Sequence, residues 1–304
     1  MISMPEKNSL LPLKTPLESI YIKDDVKVYA KKENKQRTGS IKYRVAWHLI
    51  DSAERNGDLT SGKRIIEETS GNTGIGLSYI GRKKGYPVTI VVSNNGCTKE
   101  AQEMMKSFDA EVISVDGWMR ERQALINDML EKDSSYYWTR QASNPAILKS
   151  AKLLGKEILQ QLPKIDYFLA CIGTGATITG VGSTLKERNP EIQIIAAVPA
   201  DDYNMPAVDD YRWDYPKPLF KESLLDDTIT VEEKDIIETM KKLQKQGNFV
   251  GLSSAVVTSA ANRFSNQIDR GNILIILPDS SDRYISLCKN RFNLDLHAKR
   301  DYPL

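Results

Sequence analysis

Cysteine and histidine are scarce in this chain. Its 304 residues include three cysteines, Cys97, Cys171 and Cys288, and two histidines, His48 and His297. The cysteines lie far apart, so they form neither a disulfide framework nor a paired zinc motif. Two histidines also make a His-rich metal site a poor expectation, and no metal is expected. No apolar run approaches the roughly 18 residues of a membrane span. Neither sign of charge dominates: 42 Lys and Arg face 40 Asp and Glu, for a formal net charge of +2. That balance argues against a nucleic-acid partner, which would need clustered basic surface. The opening stretch MISMPEKNSLLPLK lacks the apolar core of a secretory signal. What is present is an ordinary globular mixture, 40% hydrophobic and 27% charged, which excludes a mainly disordered chain. The length suggests about two domains. The expectation is a soluble, cytoplasmic, two-domain protein.

Short β-branched runs alternate with helical stretches. Strands are predicted at Val26–Lys31, Arg64–Glu67, Pro87–Ser93, Glu111–Val115, Asp166–Ile172, Ile192–Val198 and Asn272–Leu277. Helices are predicted at Ile41–Asn56, Thr98–Phe108 with Thr98 as cap, Ala146–Leu162 and Thr230–Gln246. Strand, helix, strand in this order predicts parallel βαβ units and an α/β fold. The Pro-, Asp- and Tyr-rich stretch from Ala200 to Lys221 reads as a long surface loop.

Four segments carry chemistry. GTGATITG, Gly173 to Gly180, follows a strand and opens a helix. Small residues there let a ligand approach the backbone, and the helix N-terminus offers free N–H groups to a phosphate. Ile178 stands where a dinucleotide loop needs glycine, so a phosphate monoester is expected rather than a pyrophosphate. A tight turn explains the same glycines equally well. TSGNTG, Thr69 to Gly74, could bind a carboxylate, or could simply start a helix with Ser70 or Asn72 as cap. Lys42, in RTGSIKYR, sits just inside a helix, where the dipole disfavours its charge. A neutral amine suits Schiff-base chemistry, although most such lysines are solvated surface residues. GLSSA, Gly251 to Ala255, narrowly misses a hydrolase nucleophile elbow and lacks an obvious His partner.

Together and in this order the segments are far more specific than any one. The chain resembles the cysteine synthase / cystathionine β-synthase family of fold type II pyridoxal-phosphate enzymes, nearer the B-type O-acetylserine sulfhydrylases. The resemblance runs from Thr15-Pro16-Leu17 to Asp282-Arg283-Tyr284. It implies two three-layer αβα domains with mostly parallel sheets. Residues 36–142 would form the small, substrate-carboxylate-binding domain; residues 1–35 plus 143–304 would form the large, phosphate-binding domain. It further implies pyridoxal 5′-phosphate as cofactor, a small amino-acid substrate and a homodimer. Lys42, in a TGSxKxR-like motif, would carry the cofactor and act as the catalytic base. Thr69, Ser70, Gly71, Asn72, Thr73 and Gln141 would surround the substrate carboxylate, with Asn72 also on the cofactor's 3′-oxygen. Gly173, Thr174, Gly175, Ala176 and Thr177 would form the phosphate cup, and Ser253 would meet the pyridine nitrogen.

A neutral hydroxyl at Ser253 would leave the ring a weak electron sink. The resemblance therefore implies β-replacement on an activated L-serine, O-acetyl- or O-phosphoserine, through an α-aminoacrylate, with sulfide as the default nucleophile. Three alternatives stay open: an amine or amino-acid nucleophile, a serine/threonine dehydratase, and a non-catalytic binding protein on the same fold. The departures bear on substrate more than on reaction class. Ala176 and Ala255 replace family glycines. Ala207–Phe220, AVDDYRWDYPKPLF, replaces the usual glycine-rich wall, and Arg212 and Lys217 there could meet an anion or lie in a solvated loop.

Overall fold

The computed structural model describes residues 10–117, 119–200, 217–296 and 300–304. Arg212, His297 and most of the stretch from Ala200 to Lys221 lie outside the described residues. Among the described residues, ten strands form two sheets. The first sheet has the order β1-β2-β10-β7-β8-β9. Its strands are β1 (Leu17–Lys23), β2 (Asp25–Lys32), β7 (Tyr167–Cys171), β8 (Gln193–Pro199), β9 (Asp227–Val231) and β10 (Arg270–Leu277). Only the β1–β2 pair is antiparallel. The second sheet is wholly parallel, in the order β5-β4-β3-β6. It comprises β3 (Arg64–Glu68), β4 (Val88–Ser93), β5 (Glu111–Val115) and β6 (Tyr136–Trp138).

Strand alternation divides the core of the larger sheet. Ile273, Ile275 and Leu277 of β10 point to one face with Leu169, Ile195 and Ala197. Leu274 and Ile276 point to the other with Phe168, Ala170, Ile194 and Ala196. Both faces are apolar because both are covered, the pattern of a parallel sheet between helices. The first face carries α7 (Glu233–Lys245) and α8 (Leu252–Ser265); the second carries α5 (Ala146–Gln161) and α6 (Ala176–Arg188). In the smaller sheet, Ile65, Ile90 and Val92 face α1 (Lys42–Asn56), α2 (Asn72–Lys84) and α3 (Lys99–Ser107). Ile66 and Val91 face Ile126 of α4 (Met119–Lys132). Each sheet is thus the middle of three layers, as the resemblance implied. The last helix, α9, spans Ile285–Phe292.

Two expectations are corrected. The helix expected over Thr230–Gln246 begins at Glu233. Thr230 and Val231 close β9 and pair with Val198 and Pro199, because the β-branched Thr-Ile-Thr-Val run fits a pleated strand. Neither Ser70 nor Asn72 caps α2; Gly71 holds the cap position without a side-chain bond. Thr98 does cap α3, its Oγ1 accepting from the Ala101 N–H. The two alanines that replace family glycines are accommodated by burial. Ala176 packs with Val45, Leu49, Ile147 and Leu219, and Ala255 joins the core beneath α8.

Candidate active site

A cavity of about 990 Å³ is lined from the C-terminal ends of β3, β7 and β10. Parallel strands place ligands there because the following loops and helix N-termini converge at that edge. Its wall carries Lys42, the loop Thr69–Thr73, Gln141, Gly173, Thr174, Gly175, Thr177 and Ser253. Residues expected to act together therefore share one space. Ala176 alone among them is off the wall, its side chain turned into the apolar cluster under Leu219.

The first turns of α1, α2, α6 and α8 all reach this cavity. Their unsatisfied N–H groups and dipoles make it favourable to anions. At α6 the cap residue Gly175 has φ +79°, and a Cβ there would lie 2.3 Å from Phe220 Cβ. Glycine is required on both counts, conformation and space. Lys42 is the first residue of α1, with its N–H held by Ser40 Oγ at 3.2 Å. Ser253, 4% exposed, lies in the first turn of α8.

On the Thr69–Gly74 loop, Asn72 and Thr73 are already engaged. Thr73 Oγ1 donates to Gln141 Oε1, and Gln141 Nε2 donates to the Glu68 carbonyl at 2.8 Å. Asn72 Nδ2 donates to Asp279 Oδ2 at 2.7 Å, and Arg283 Nη1 donates to Asn72 Oδ1. Tyr284 O–H donates to the same Asp279 oxygen. Burial pushes the Asp279 carboxyl up, against the pull of Arg283. Behind the loop, Glu67 is fully enclosed. Its carboxylate accepts from the Glu68 N–H, Trp138 Nε1, Thr139 Oγ1 and the Gln141 N–H.

Sequence reasoning passed over several wall residues. Asp279 stands just beyond β10, and its other oxygen, Oδ1, is buried with no hydrogen-bond partner among the described residues. Its position at a parallel strand's end was the available signal. Glu68 and Arg122 also line the cavity as an ion pair, Nε to Oε2 at 3.1 Å. Nothing local in the sequence joins residues 54 positions apart. Cys171, beside the glycine loop, lies with Sγ 3.2 Å from the Ser253 carbonyl, and burial raises its thiol pKa. Lys217 reaches the wall, as allowed for.

The residues present fit a phosphorylated aromatic aldehyde. A primary amine, a glycine-formed helix start for the phosphate, a neutral hydroxyl and an unpartnered buried carboxylate oxygen border one space large enough for cofactor and substrate together. Comparison with known proteins agrees. Residues 9–279 match the family described as pyridoxal-phosphate dependent enzyme. The chain belongs to this family. It is 30% identical over 272 residues to a cysteine synthase of Staphylococcus aureus (strain N315), covering 85% of this chain and 87% of that protein. It is 29% identical over 263 residues to cysteine synthase B of Escherichia coli (strain K12), covering 85% and 86%. The structure of an O-acetylserine dependent cystathionine beta-synthase from Helicobacter pylori superposes with TM-score 0.83 at 29% identity, covering 94% of this chain and 98% of that one. The family relationship makes pyridoxal phosphate the cofactor and the protein an enzyme. Among the described residues, no helix is long and apolar enough to cross a membrane and no acidic, Cys or His cluster could hold a metal ion.

Proposed function

We propose that the chain catalyses β-replacement on an activated L-serine, O-acetyl-L-serine or O-phospho-L-serine, with Lys42 as the residue that carries the cofactor. One observation carries the reading: Lys42, the Thr69–Thr73 loop and the Gly173–Thr177 loop border a single cavity. The similarity to cysteine synthases supports the donor class.

Bound at this site, the cofactor supplies the electron sink that lets the substrate's Cα proton and β-substituent leave. The protein's own residues do the rest. The N–H groups at the start of α6 would hold the phosphate. Thr69, Ser70, Asn72, Thr73 and Gln141 hold the substrate carboxylate, and the Thr73–Gln141 bond orients both side chains before substrate arrives. Asn72, its carboxamide held by Asp279 and Arg283, would meet the cofactor's 3′-oxygen. Lys42, the first residue of α1 and on the cavity wall, is the base for the Cα proton in this reading. Ser253, buried in the first turn of α8, would offer the pyridine nitrogen a neutral partner. The net reaction breaks the donor's Cβ–O bond, forms Cβ to nucleophile, and releases acetate or phosphate.

Residues 36–142 form the small domain in this reading, and the rest the large one. Substrate bridging the carboxylate loop and the phosphate cup draws the two together and excludes water. A homodimer in the cytoplasm completes it, resting on the family resemblance; sedimentation of the purified protein checks the dimer. The decisive experiment offers the purified holoenzyme each donor with a nucleophile panel and identifies products by mass spectrometry. A β-substituted alanine with acetate or phosphate release supports the reading. Pyruvate as the only product, from serine itself, would make the protein a dehydratase, and no turnover with any donor would make it a binding protein.

A further inference from the structure

We propose that Glu68 and Arg122 form the seat of the second substrate and select a zwitterionic α-amino acid whose side chain carries the attacking thiol or amine. The inference deepens the β-replacement reading and rests on it.

The chain places this pair with care. Glu67 and Glu68 are consecutive on β3, so their side chains leave opposite faces. Glu67 turns to Trp138, Thr139 and Gln141 and is consumed by four donors. Glu68 turns to α4, where it takes Arg122 Nε at 3.1 Å and Gln123 Nε2 at 3.3 Å. It is also the residue before Thr69, so the pair borders the loop that holds the first substrate's carboxylate.

The pair is nearly enclosed, with side chains 5% and 7% exposed, yet both residues line the cavity. A second buried pair in this molecule shows the contrast. Arg44 and Glu33 are as deeply buried, but Arg44 also bonds Glu157 and the Leu13 carbonyl, and neither residue lines the cavity. That network is structural. A buried ion pair gives little stability over apolar residues of the same volume, so Glu68 and Arg122 facing a ligand space call for a ligand.

The chemistry of that ligand follows from what the pair leaves open. A carboxylate has about four acceptor sites, and two described donors reach Glu68. The Arg122 bond to Glu68 uses Nε, so the terminal Nη groups are not spent on it. Together the two side chains offer one acceptor for an ammonium and one bidentate donor for a carboxylate, side by side. An α-amino acid carries its ammonium and carboxylate on one carbon and is the complement. Sulfide, acetate or a simple amine satisfies half of the seat and leaves the other charge paired only internally. With both head groups held, the amino acid's side chain is its free end. Its S–H or N–H bond breaks, the donor's Cβ–O bond breaks, and a Cβ–S or Cβ–N bond forms. The leaving carboxylate or phosphate takes the electron pair, the proton passes to solvent, and no redox change occurs.

The test compares head groups at constant nucleophile. The holoenzyme with O-acetyl-L-serine is offered L-cysteine, cysteamine and 3-mercaptopropionate, then L-2,3-diaminopropionate, ethylenediamine and β-alanine, with sulfide alongside. Wild-type enzyme should prefer the intact amino acid over both truncated analogues by about 10- to 100-fold in kcat/KM, the size of one or two charge-assisted bonds. Arg122→Gln should abolish the preference over the analogue lacking a carboxylate. Glu68→Gln should abolish the preference over the one lacking an ammonium. Sulfide turnover with no such selectivity in the wild type overturns this inference and leaves β-replacement standing; absence of any substituted product overturns both. Loss of selectivity spread equally over both analogues in each variant would mean the pair is structural.

Discussion

Asn72 and Asp279 stand 207 positions apart, yet Asn72 Nδ2 donates to Asp279 Oδ2 at 2.7 Å. The bond joins α2, on the smaller sheet, to the end of β10, on the larger. Tyr284 and Arg283 tie the same two side chains from α9's entry. The Asn72 carboxamide is thereby set before any ligand arrives.

This linkage is testable through stability. Asp279→Ala strips the acceptor from Asn72 and Tyr284 and removes a negative charge facing the buried Arg283. Each buried donor left unmet costs about 1–3 kcal/mol. Asp279→Asn keeps an oxygen acceptor and should lose less. Urea unfolding of the two variants checks the order; an Ala variant as stable as wild type would show that the network carries no weight.

Glu67 makes a prediction about pH. Burial pushes its carboxyl from 4.5 up to about 7, against hydrogen bonds from Thr139, Gln141 and Trp138 that pull it down. The folded state then holds a proton that the unfolded chain has already lost. Its contribution is full below about 4.5, falls as pH rises through the window to about 7, and is level above. Integrated, the change is on the order of 3 kcal/mol. Glu67→Gln cannot titrate. The stability difference, wild type minus variant, should therefore shrink between pH 5 and pH 8. A difference that is constant or grows would mean the four donors keep Glu67 ionised throughout.

Lys42 predicts the site of covalent attachment. Borohydride reduction of the holoenzyme followed by peptide mapping should find the cofactor on Lys42, because that lysine opens α1 on the cavity wall. Label on Lys217, the other described lysine on the wall, would overturn the assignment.

How much of this could be read beforehand follows the range of each interaction. β4, VTIVVS, and β10 are buried runs that announce themselves by composition. The glycine loop before α6 and the lysine at the start of α1 are local patterns with local physics. β6, three residues long, exists because Ile65 and Ile66 pair with Tyr137 and Trp138, and nothing in Tyr136–Trp138 alone demands a strand. α4 carries a largely polar sequence, MRERQALINDMLEK, whose buried side is as small as Arg122 and Ile126, so its periodicity is faint. Glu68 with Arg122, and Asn72 with Asp279, are pairings across the fold. Glu68, Arg122 and Asp279 carry no local signal of a partner, and Asn72 shows one only through its TSGNTG loop, until the fold brings the pairs within 3.1 Å and 2.7 Å respectively.

The Gly173–Thr177 loop, proposed to hold the phosphate, gives the last prediction, and Gly182 of the helix it opens supplies the control. Gly175 sits at φ +79° with the Phe220 Cβ 2.3 Å from where its own Cβ would be. Gly175→Ala thus meets both a left-handed backbone, which costs about 1–2 kcal/mol for a side chain, and a collision that the chain must relieve by opening the loop. Gly182, about two turns further along α6, has Ile194 at 3.4 Å from its would-be Cβ, an ordinary contact. Gly182→Ala should hold or gain stability, since alanine is the better helix former by about 1 kcal/mol. Gly175→Ala should lose cofactor affinity at least about tenfold, as each 1.4 kcal/mol is a factor of ten. The readout is cofactor retained through gel filtration, scored by visible absorbance. Equal retention in the two variants would show that the N–H groups at the start of α6 do not hold the phosphate.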